Sequence, residues 1–227
     1  MKKPLQRWSG LIIAAFILPA CVSPLFAGGG VYTDQAFSEA IAGVSADCPQ
    51  WILDNQVLMD VAYRGFDGEV HFGQLVVDAR VVLDLQIVFA LMLFTGFPLE
   101  SVIPVMEFDW DDYQSMVQNN TSAFNYRCVP GTDRLSNHSY GLAIDINPLL
   151  NPYYSGGEVS PAGAVYDSSV TGTLYEGHPV VRLFKTLGWR WGGDWNEPDH
   201  HHFNKQLEEA QLTGVDHHRF WPLWRLL

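Results

Sequence analysis

The segment SNHSYGLAID, residues 136–145, combines side chains that bind metals with a short apolar stretch. His138 offers an imidazole, and Asp145 offers a carboxylate within residues 142–146, which have the composition of a short strand. An isolated charge is costly to bury in such a strand. A divalent cation would remove that cost by pairing with the carboxylate, so the segment predicts a metal site.

A second segment, GGDWNEPDHHHF at residues 192–203, adds three adjacent histidines. A catalytic zinc ion takes three protein ligands and keeps a fourth position for water. Two ligands can come from the first segment and the third from this cluster. In an extended chain His200 and His202 share one face while His201 points to the other. The spacing alone therefore leaves the third ligand open, and a loose metal-binding tract is the alternative.

Asp199 lies three residues before His202 and is a candidate general base. Zinc lowers the pKa of its bound water to about 7, and a nearby carboxylate must then carry the proton of that water to the leaving amine. An offset of three residues points to opposite faces of a regular strand. This role therefore requires a turn near Pro198 that leads into the strand.

Together the two segments resemble the motifs SxHxxGxAxD, GGDW and DxxHF of the zinc D-alanyl-D-alanine carboxypeptidase family, which also includes L-alanyl-D-glutamate endopeptidases. The resemblance covers roughly residues 57–204 and includes the stretches 119–127 and 131–135. It implies an α+β fold in which a central, mainly antiparallel β-sheet with flanking helices carries the site.

The resemblance also implies roles for individual residues. His138, Asp145 and His202 would bind one zinc ion, and Asp199 would act as general base and then as general acid. Arg127 would orient a substrate carboxylate or stabilise the oxyanion, a role that suits a fixed charged fork.

Four further residues lie in or beside the motifs. We expect Ser136, Tyr140 and Trp195 to contribute to the substrate side of the site, with Ser136 as a hydrogen-bonding partner and no nucleophile. Asp194 is expected to be structural.

The hydrophobic pattern predicts strands and helices in mixed order, which is typical of an α+β fold. We predict strands at 57–63, 70–77, 101–108, 142–146, 189–191 and 200–203, core helices at 81–94 and 180–187, short helical or loop pieces at 37–44 and 48–55, and irregular chain at 109–122 and 147–172.

The amino-terminal residues have the pattern of an export signal. Basic residues precede an apolar run at residues 11–20 that is too short to span a bilayer comfortably. Cleavage after Ala27 is expected, and lipoprotein processing before Cys21 is the alternative. The chain then divides into a signal peptide at 1–27, an amino-terminal extension at 28–56, a metallopeptidase domain at 57–209 and an apolar tail at 210–227.

Charge and cysteine content limit the partners. The formal net charge of −12 argues against nucleic acid and against an anionic membrane surface. We expect a monomer whose membrane contact, if any, is a lipid anchor at Cys21. An exported chain can form a disulfide, which would join Cys48 to Cys128. The alternative is two separate buried thiols.

These observations predict an exported, periplasmic or extracytoplasmic, zinc peptidase that hydrolyses peptidoglycan stem peptides. A D-alanyl-D-alanine carboxypeptidase is the first expectation. The alternatives are an L-alanyl-D-glutamate endopeptidase, a peptidase for free dipeptides or other exported peptides, and a non-catalytic module that binds the cell wall.

Overall fold

The computed structural model describes residues 31–32 and 35–206. The predicted signal peptide, Cys21 and the apolar tail lie outside the described residues. The strands are β1 (Val31–Tyr32), β2 (Gln56–Arg64), β3 (Val70–Asp78), β4 (Ser101–Val102), β5 (Asn120–Thr121), β6 (Ala143–Asp145), β7 (Tyr153–Ser155), β8 (Glu158–Ser160), β9 (Trp189–Trp191) and β10 (His202–Lys205). The helices are α1 (Gln35–Ala40), α2 (Gln50–Leu53), α3 (Val82–Thr95), α4 (Asp112–Val117) and α5 (Pro179–Thr186), with 3₁₀ turns at Ala79–Val81, Val105–Phe108, Asn137–Tyr140 and Gly192–Asp194.

The described strands form four small sheets. Two sheets are three-stranded, in the orders β1-β2-β3 and β6-β10-β9, and both are antiparallel. The other two are the parallel pair β4-β5 and the antiparallel pair β7-β8. The fold is thus mixed, with small and mainly antiparallel sheets, but the single central sheet expected from the sequence is divided. One reason is that β6 is short, because Gly141 before it and Asn147 after it adopt left-handed backbone angles.

The β2-β3 hairpin and α3 form the larger part of the hydrophobic core, as their apolar patterns predict. Buried side chains of α3 pack against β2, and the helix ends at Gly96, whose positive φ is typical of a helix cap. The opposite face of α3 leaves Leu83, Ile87 and Phe94 exposed. Within the described ranges, no helix has both the length and the apolar character needed to cross a membrane.

The second three-stranded sheet joins the same core. Phe203 of β10 stacks on Phe184 of α5, with ring centroids 4.1 Å apart. Asp84 in the first turn of α3 accepts hydrogen bonds from Trp189 Nε1 at 2.9 Å and from Lys205 Nζ at 2.8 Å. The sheet that carries two of the predicted ligands is therefore fixed to α5 by an apolar contact and to α3 by polar and charged contacts.

A smaller apolar cluster joins the extension to the hairpin. Buried residues of the segment that includes α1 and α2, among them Ile52, pack with Leu58 of β2, Val76 of β3 and Phe124. Strand β1 also pairs with β2. The described residues before β2 are thus packed against the rest of the fold.

Two predictions between the sheets are corrected. The predicted strand at 101–108 is wrong beyond Val102, because Pro104 interrupts it and a 3₁₀ turn follows. The predicted loop at 109–122 contains α4, where the Asp111 side chain accepts a hydrogen bond from the Gln114 backbone N–H at 3.0 Å. This N-cap stabilises a short helix that has no strong apolar pattern.

The predicted Cys48–Cys128 disulfide is wrong, because the structure has both residues as free thiols. Cys48 is buried in the smaller apolar cluster, where burial raises the pKa of its thiol to about 11. Cys128 is exposed, and its backbone forms an isolated antiparallel β-bridge with Leu135.

Candidate metal centre

Local hydrogen bonds fix the position of His138. Ser136 caps the 3₁₀ turn Asn137–Tyr140, and its hydroxyl accepts a hydrogen bond from the His138 backbone N–H at 3.3 Å. The turn ends at Gly141, which has φ 65°. A Cβ at Gly141 would lie 2.0 Å from Gln56 Oε1 and 2.6 Å from the Asp78 backbone nitrogen. The glycine of the first motif is therefore required both by its backbone angle and by close contact with the hairpin.

The register of β6 and β10 brings the other two predicted ligands together. His202 and Asp145 are directly opposite each other in this antiparallel pair. Side chains at opposite positions lie on the same face of a sheet, about 5 Å apart at Cβ. Two ligands that are distant in sequence therefore meet because of strand pairing.

The three predicted ligands form one buried cluster. His138 Nε2 lies 3.1 Å from His202 Nδ1 and 3.2 Å from Asp145 Oδ2, while His202 Nδ1 lies 3.0 Å from Asp145 Oδ1. In a tetrahedral zinc site with ligand bonds near 2.0–2.1 Å, neighbouring ligand atoms lie about 3.3 Å apart. The observed spacing therefore fits a metal ion of this size.

A hydrogen bond outside the cluster selects the form of His138 that binds metal. His138 Nδ1 lies 2.6 Å from the backbone carbonyl oxygen of Ala123. A carbonyl oxygen only accepts, so Nδ1 carries a proton, and the neutral ring then has its lone pair on Nε2, which faces the cluster. Metal-binding histidines commonly donate their second N–H in this way.

The electrostatics of the cluster favour an ionised carboxylate. Burial by itself raises the pKa of Asp145, but the charges of His138 and His201 and the hydrogen bonds from His138 and His202 outweigh burial and hold that pKa well below its usual value. Burial by itself lowers the pKa of His138, but the negative charge of Asp145 outweighs burial, so the pKa of His138 is raised. An ionised aspartate is the form that binds a metal.

The turn required for Asp199 is present. The backbone N–H of His202 donates to the Asp199 carbonyl at 3.3 Å, and the Asp199 N–H donates to the Gly192 carbonyl at 3.0 Å. A Cβ at Gly192 would lie 2.5 Å from the Asp199 carbonyl oxygen. The first glycine of the GGDW segment therefore allows the chain at Asp199 to pack closely and to turn into β10.

His201 lies beside the candidate metal centre, whereas His200 lies away from it. His201 is buried, with Nε2 3.0 Å from Asp199 Oδ1 and 3.9 Å from Asp145 Oδ1. Burial by itself lowers the pKa of His201, but the negative charges of Asp199 and Asp145 outweigh burial and raise that pKa to about 9. The half-buried ring of His200 stacks on Tyr166 instead, with centroids 3.9 Å apart.

Arg127 lies at the edge of the cluster. Its guanidinium forms an ion pair with Asp112 at 2.7 Å, and its positive charge acts to lower the pKa of His138. The Nε of Arg127 is buried and has no hydrogen-bond partner among the described residues. Asp112 belongs to α4, and sequence reasoning missed it because its polar surroundings predicted a loop.

The other predicted residues divide between the site and the core. Trp195 is 44% exposed, and its ring lies 5.4 Å from that of His202, so it borders the cluster. Tyr140 instead packs with Trp51, at 6.1 Å between centroids, and with the apolar clusters. Asp194 forms an ion pair with Lys185 at 2.7 Å, which agrees with a structural role.

The fold and this cluster have the features of a candidate metal-dependent hydrolase. Residues 130–205 match the model of a family described as D-alanyl-D-alanine carboxypeptidase, and the match confirms the resemblance seen in the sequence. The matched stretch contains His138, Asp145, His202 and Asp199, whereas Arg127 lies before it. Searches of curated proteins and of solved structures found no match to the chain.

Proposed function

We propose that the protein is an exported zinc-dependent peptidase that hydrolyses peptidoglycan stem peptides, acting as a D-alanyl-D-alanine carboxypeptidase. The observation that carries this proposal is the buried cluster of His138, Asp145 and His202, whose ligand atoms all lie within 4.8 Å of one another. The match of the surrounding stretch to a carboxypeptidase family supports the choice of reaction.

The three ligands are suited to zinc, because two imidazoles and one carboxylate are a common catalytic donor set that leaves one position open. A zinc ion held there supplies Lewis acidity towards the scissile carbonyl and an acidic water at neutral pH. Ala123 contributes indirectly, since its carbonyl holds His138 in the tautomer that binds.

Asp199 moves the proton in the proposed reaction. It accepts a proton from the attacking water and gives it to the nitrogen of the leaving amino acid, so that no covalent intermediate with the enzyme is formed. Its side chain is largely buried and close to His201, which in turn lies within 4 Å of Asp145.

Arg127 binds the substrate carboxylate in this proposal. One side of its guanidinium pairs with Asp112, while its buried Nε lacks a partner among the described residues. A peptide carboxylate would bind the exposed part of the guanidinium with charge-assisted hydrogen bonds. Trp195 would form an apolar wall next to His202.

The test is a digest of defined muropeptides followed by mass spectrometry. Release of one terminal alanine supports the carboxypeptidase, and cleavage between L-alanine and D-glutamate indicates the endopeptidase. Binding without any cleavage indicates a wall-binding module. We expect chelation to abolish hydrolysis and added zinc to restore it.

Asp199→Asn provides the test of mechanism. It keeps the shape of the side chain but removes the base, so we expect zinc binding to be retained and kcat to fall by about 10²–10⁴-fold. Asp194→Asn is the matched control, because that carboxylate pairs with Lys185 outside the cluster. Hydrolysis by Asp199→Asn at the wild-type rate would remove Asp199 from the mechanism.

A further inference from the structure

His201 is a buried polar residue for which the motif resemblance provides no role. It occupies a variable position of DxxHF, yet its side chain is only 5% exposed. Its two ring nitrogens have different neighbours: Nδ1 lies 2.8 Å from the Asn151 carbonyl oxygen, and Nε2 lies 3.0 Å from Asp199 Oδ1. The ring therefore connects the backbone near β6 to the proposed general base.

The Asn151 side of this connection is rigid. The Asn151 side chain is fully buried, donates to the Ile146 carbonyl at 3.0 Å and accepts from the Leu174 backbone N–H at 2.6 Å. The His201 carbonyl in turn accepts from the Ile146 N–H at 3.0 Å. Because a carbonyl oxygen only accepts, Nδ1 of His201 must donate to Asn151, and this fixes the plane of the imidazole. The Asp199 carboxylate also only accepts, so the ring holds it at Nε2 when that nitrogen carries a proton as well.

The Asp199 side of the connection has few other restraints. Asp199 Oδ1 is buried and has no regular hydrogen bond among the described residues, although His201 Nε2 lies 3.0 Å away. Catalytic hydrogen bonds are often poorly aligned before substrate binds and then become shorter and straighter. A fixed imidazole beside this oxygen would restrict the carboxylate to one orientation.

We propose that His201 is a positioning residue that holds the Asp199 carboxylate in its working orientation beside the metal centre. This inference rests on the proposed function, because it assigns a partner to the general base of that reaction. His201 is not assigned as a fourth ligand, since the cluster that fits a metal consists of His138, Asp145 and His202.

Two substitutions separate the two nitrogens of the ring. His201→Asn places an amide N–H near the former Nδ1, so the contact with Asn151 can be kept while the contact with Asp199 is lost. His201→Gln places its amide near the former Nε2, so the contact with Asp199 can be kept. His200→Gln is the matched control, because the His200 ring stacks on Tyr166 and not on the cluster.

We expect His201→Asn to lower kcat by tenfold or more while KM and the zinc dissociation constant change by less than about threefold. His201→Gln should recover most of the lost kcat, and His200→Gln should resemble the wild type. A kcat for His201→Asn within twofold of the wild type would overturn the proposal. Parallel loss of kcat and zinc affinity in both variants would also overturn it, because a structural role predicts that pattern.

A crystal structure of each zinc-loaded variant gives a readout that does not depend on hydrolysis. The proposal requires the Asp199 carboxylate to move in His201→Asn and to keep its place in His201→Gln. An unmoved carboxylate in both variants contradicts the positioning role even if the wild type is active. A wild type that cleaves no muropeptide refutes the proposed function, while this structural comparison still decides whether His201 orients Asp199.

Discussion

The two three-stranded sheets bury different kinds of side chains. In β2 and β3 most buried residues are apolar, and Met59 is paired in register with Leu75, both fully buried. In β6 and β10 the corresponding cross-strand pair is Asp145 and His202, which are also buried. Burial of the first pair stabilises the fold, whereas burial of the second costs free energy unless the charges are paired or a cation is bound. The first sheet is thus a structural element, and the second holds a site.

The comparison predicts its largest effect for removal of a ligand. We expect His202→Ala to weaken zinc binding by more than about 100-fold and to abolish hydrolysis, since even loss of a residue behind a ligand commonly costs 10–100-fold in metal affinity. Metal content after dialysis and a competition titration measure the affinity. His71→Ala is the control, because the partly exposed His71 pairs with Asp67 away from the cluster. Full zinc content in His202→Ala would show that His202 is not a ligand and that the β6-β10 pair does not hold the site.

The next effect concerns the apolar sheet. Leu75→Ala creates a cavity in a site that is 0% exposed, and we expect the free energy of unfolding to fall by about 2–5 kcal/mol. Denaturant titration measures this change, and zinc content per folded molecule should stay the same. Phe72→Ala, on the same strand but 73% exposed, should change stability by no more than about 0.5 kcal/mol. Loss of zinc from the folded Leu75→Ala protein would show that the two regions are not separable.

Removal of the metal tests the same contrast between the two sheets by a change in stability. At zinc concentrations 100 times the dissociation constant, a site that exists only in the folded protein adds about 2.7 kcal/mol of stability. We therefore expect chelation to lower the Tm of the wild type and of Phe72→Ala, and to leave the Tm of His202→Ala unchanged. An equal response in all three proteins would mean that the chelator acts elsewhere.

The same contrast explains which features could be predicted from sequence. The hairpin was predictable because its strands are set by local apolar pattern. The ligands were predictable because their motifs resemble those of a known family, whereas spacing alone left the third ligand open. The environment of His201 could not be predicted from sequence, because it depends on the turn at Asp199 and on the carbonyl of Asn151, which is distant in sequence. Helix α4 was also not predicted, because it has little apolar pattern and depends on the side-chain cap at Asp111.

The disulfide prediction failed for a related reason. Sequence shows that two cysteines exist but contains no measure of their separation, which decides whether they can be bridged. The packing of Tyr140 against Trp51 was also not predictable, because a motif position states proximity in sequence only. Patterns within a few residues are therefore informative here, and contacts that depend on tertiary packing are not.

The smallest expected effect belongs to α5, which packs against both α3 and β9 and so connects the two regions. Its N-cap is His178, whose Nδ1 accepts from the Val180 backbone N–H at 3.2 Å. Burial lowers the pKa of His178 below 6.5, so the unfolded chain takes up a proton before the folded protein does. Stability from this group is thus complete above about pH 6.5 and is lost as the pH falls towards the lower folded pKa.

His178→Asn keeps a capping acceptor but cannot titrate. On going from about pH 7.5 to about pH 5.5, we expect the Tm of the wild type to fall by roughly 1–3 °C more than that of His178→Asn. Zinc content should be equal in both proteins at the higher pH, since the cap lies outside the cluster. A pH response that is identical in the two proteins would assign the titration to other groups and would leave α5 as a connection made by packing alone.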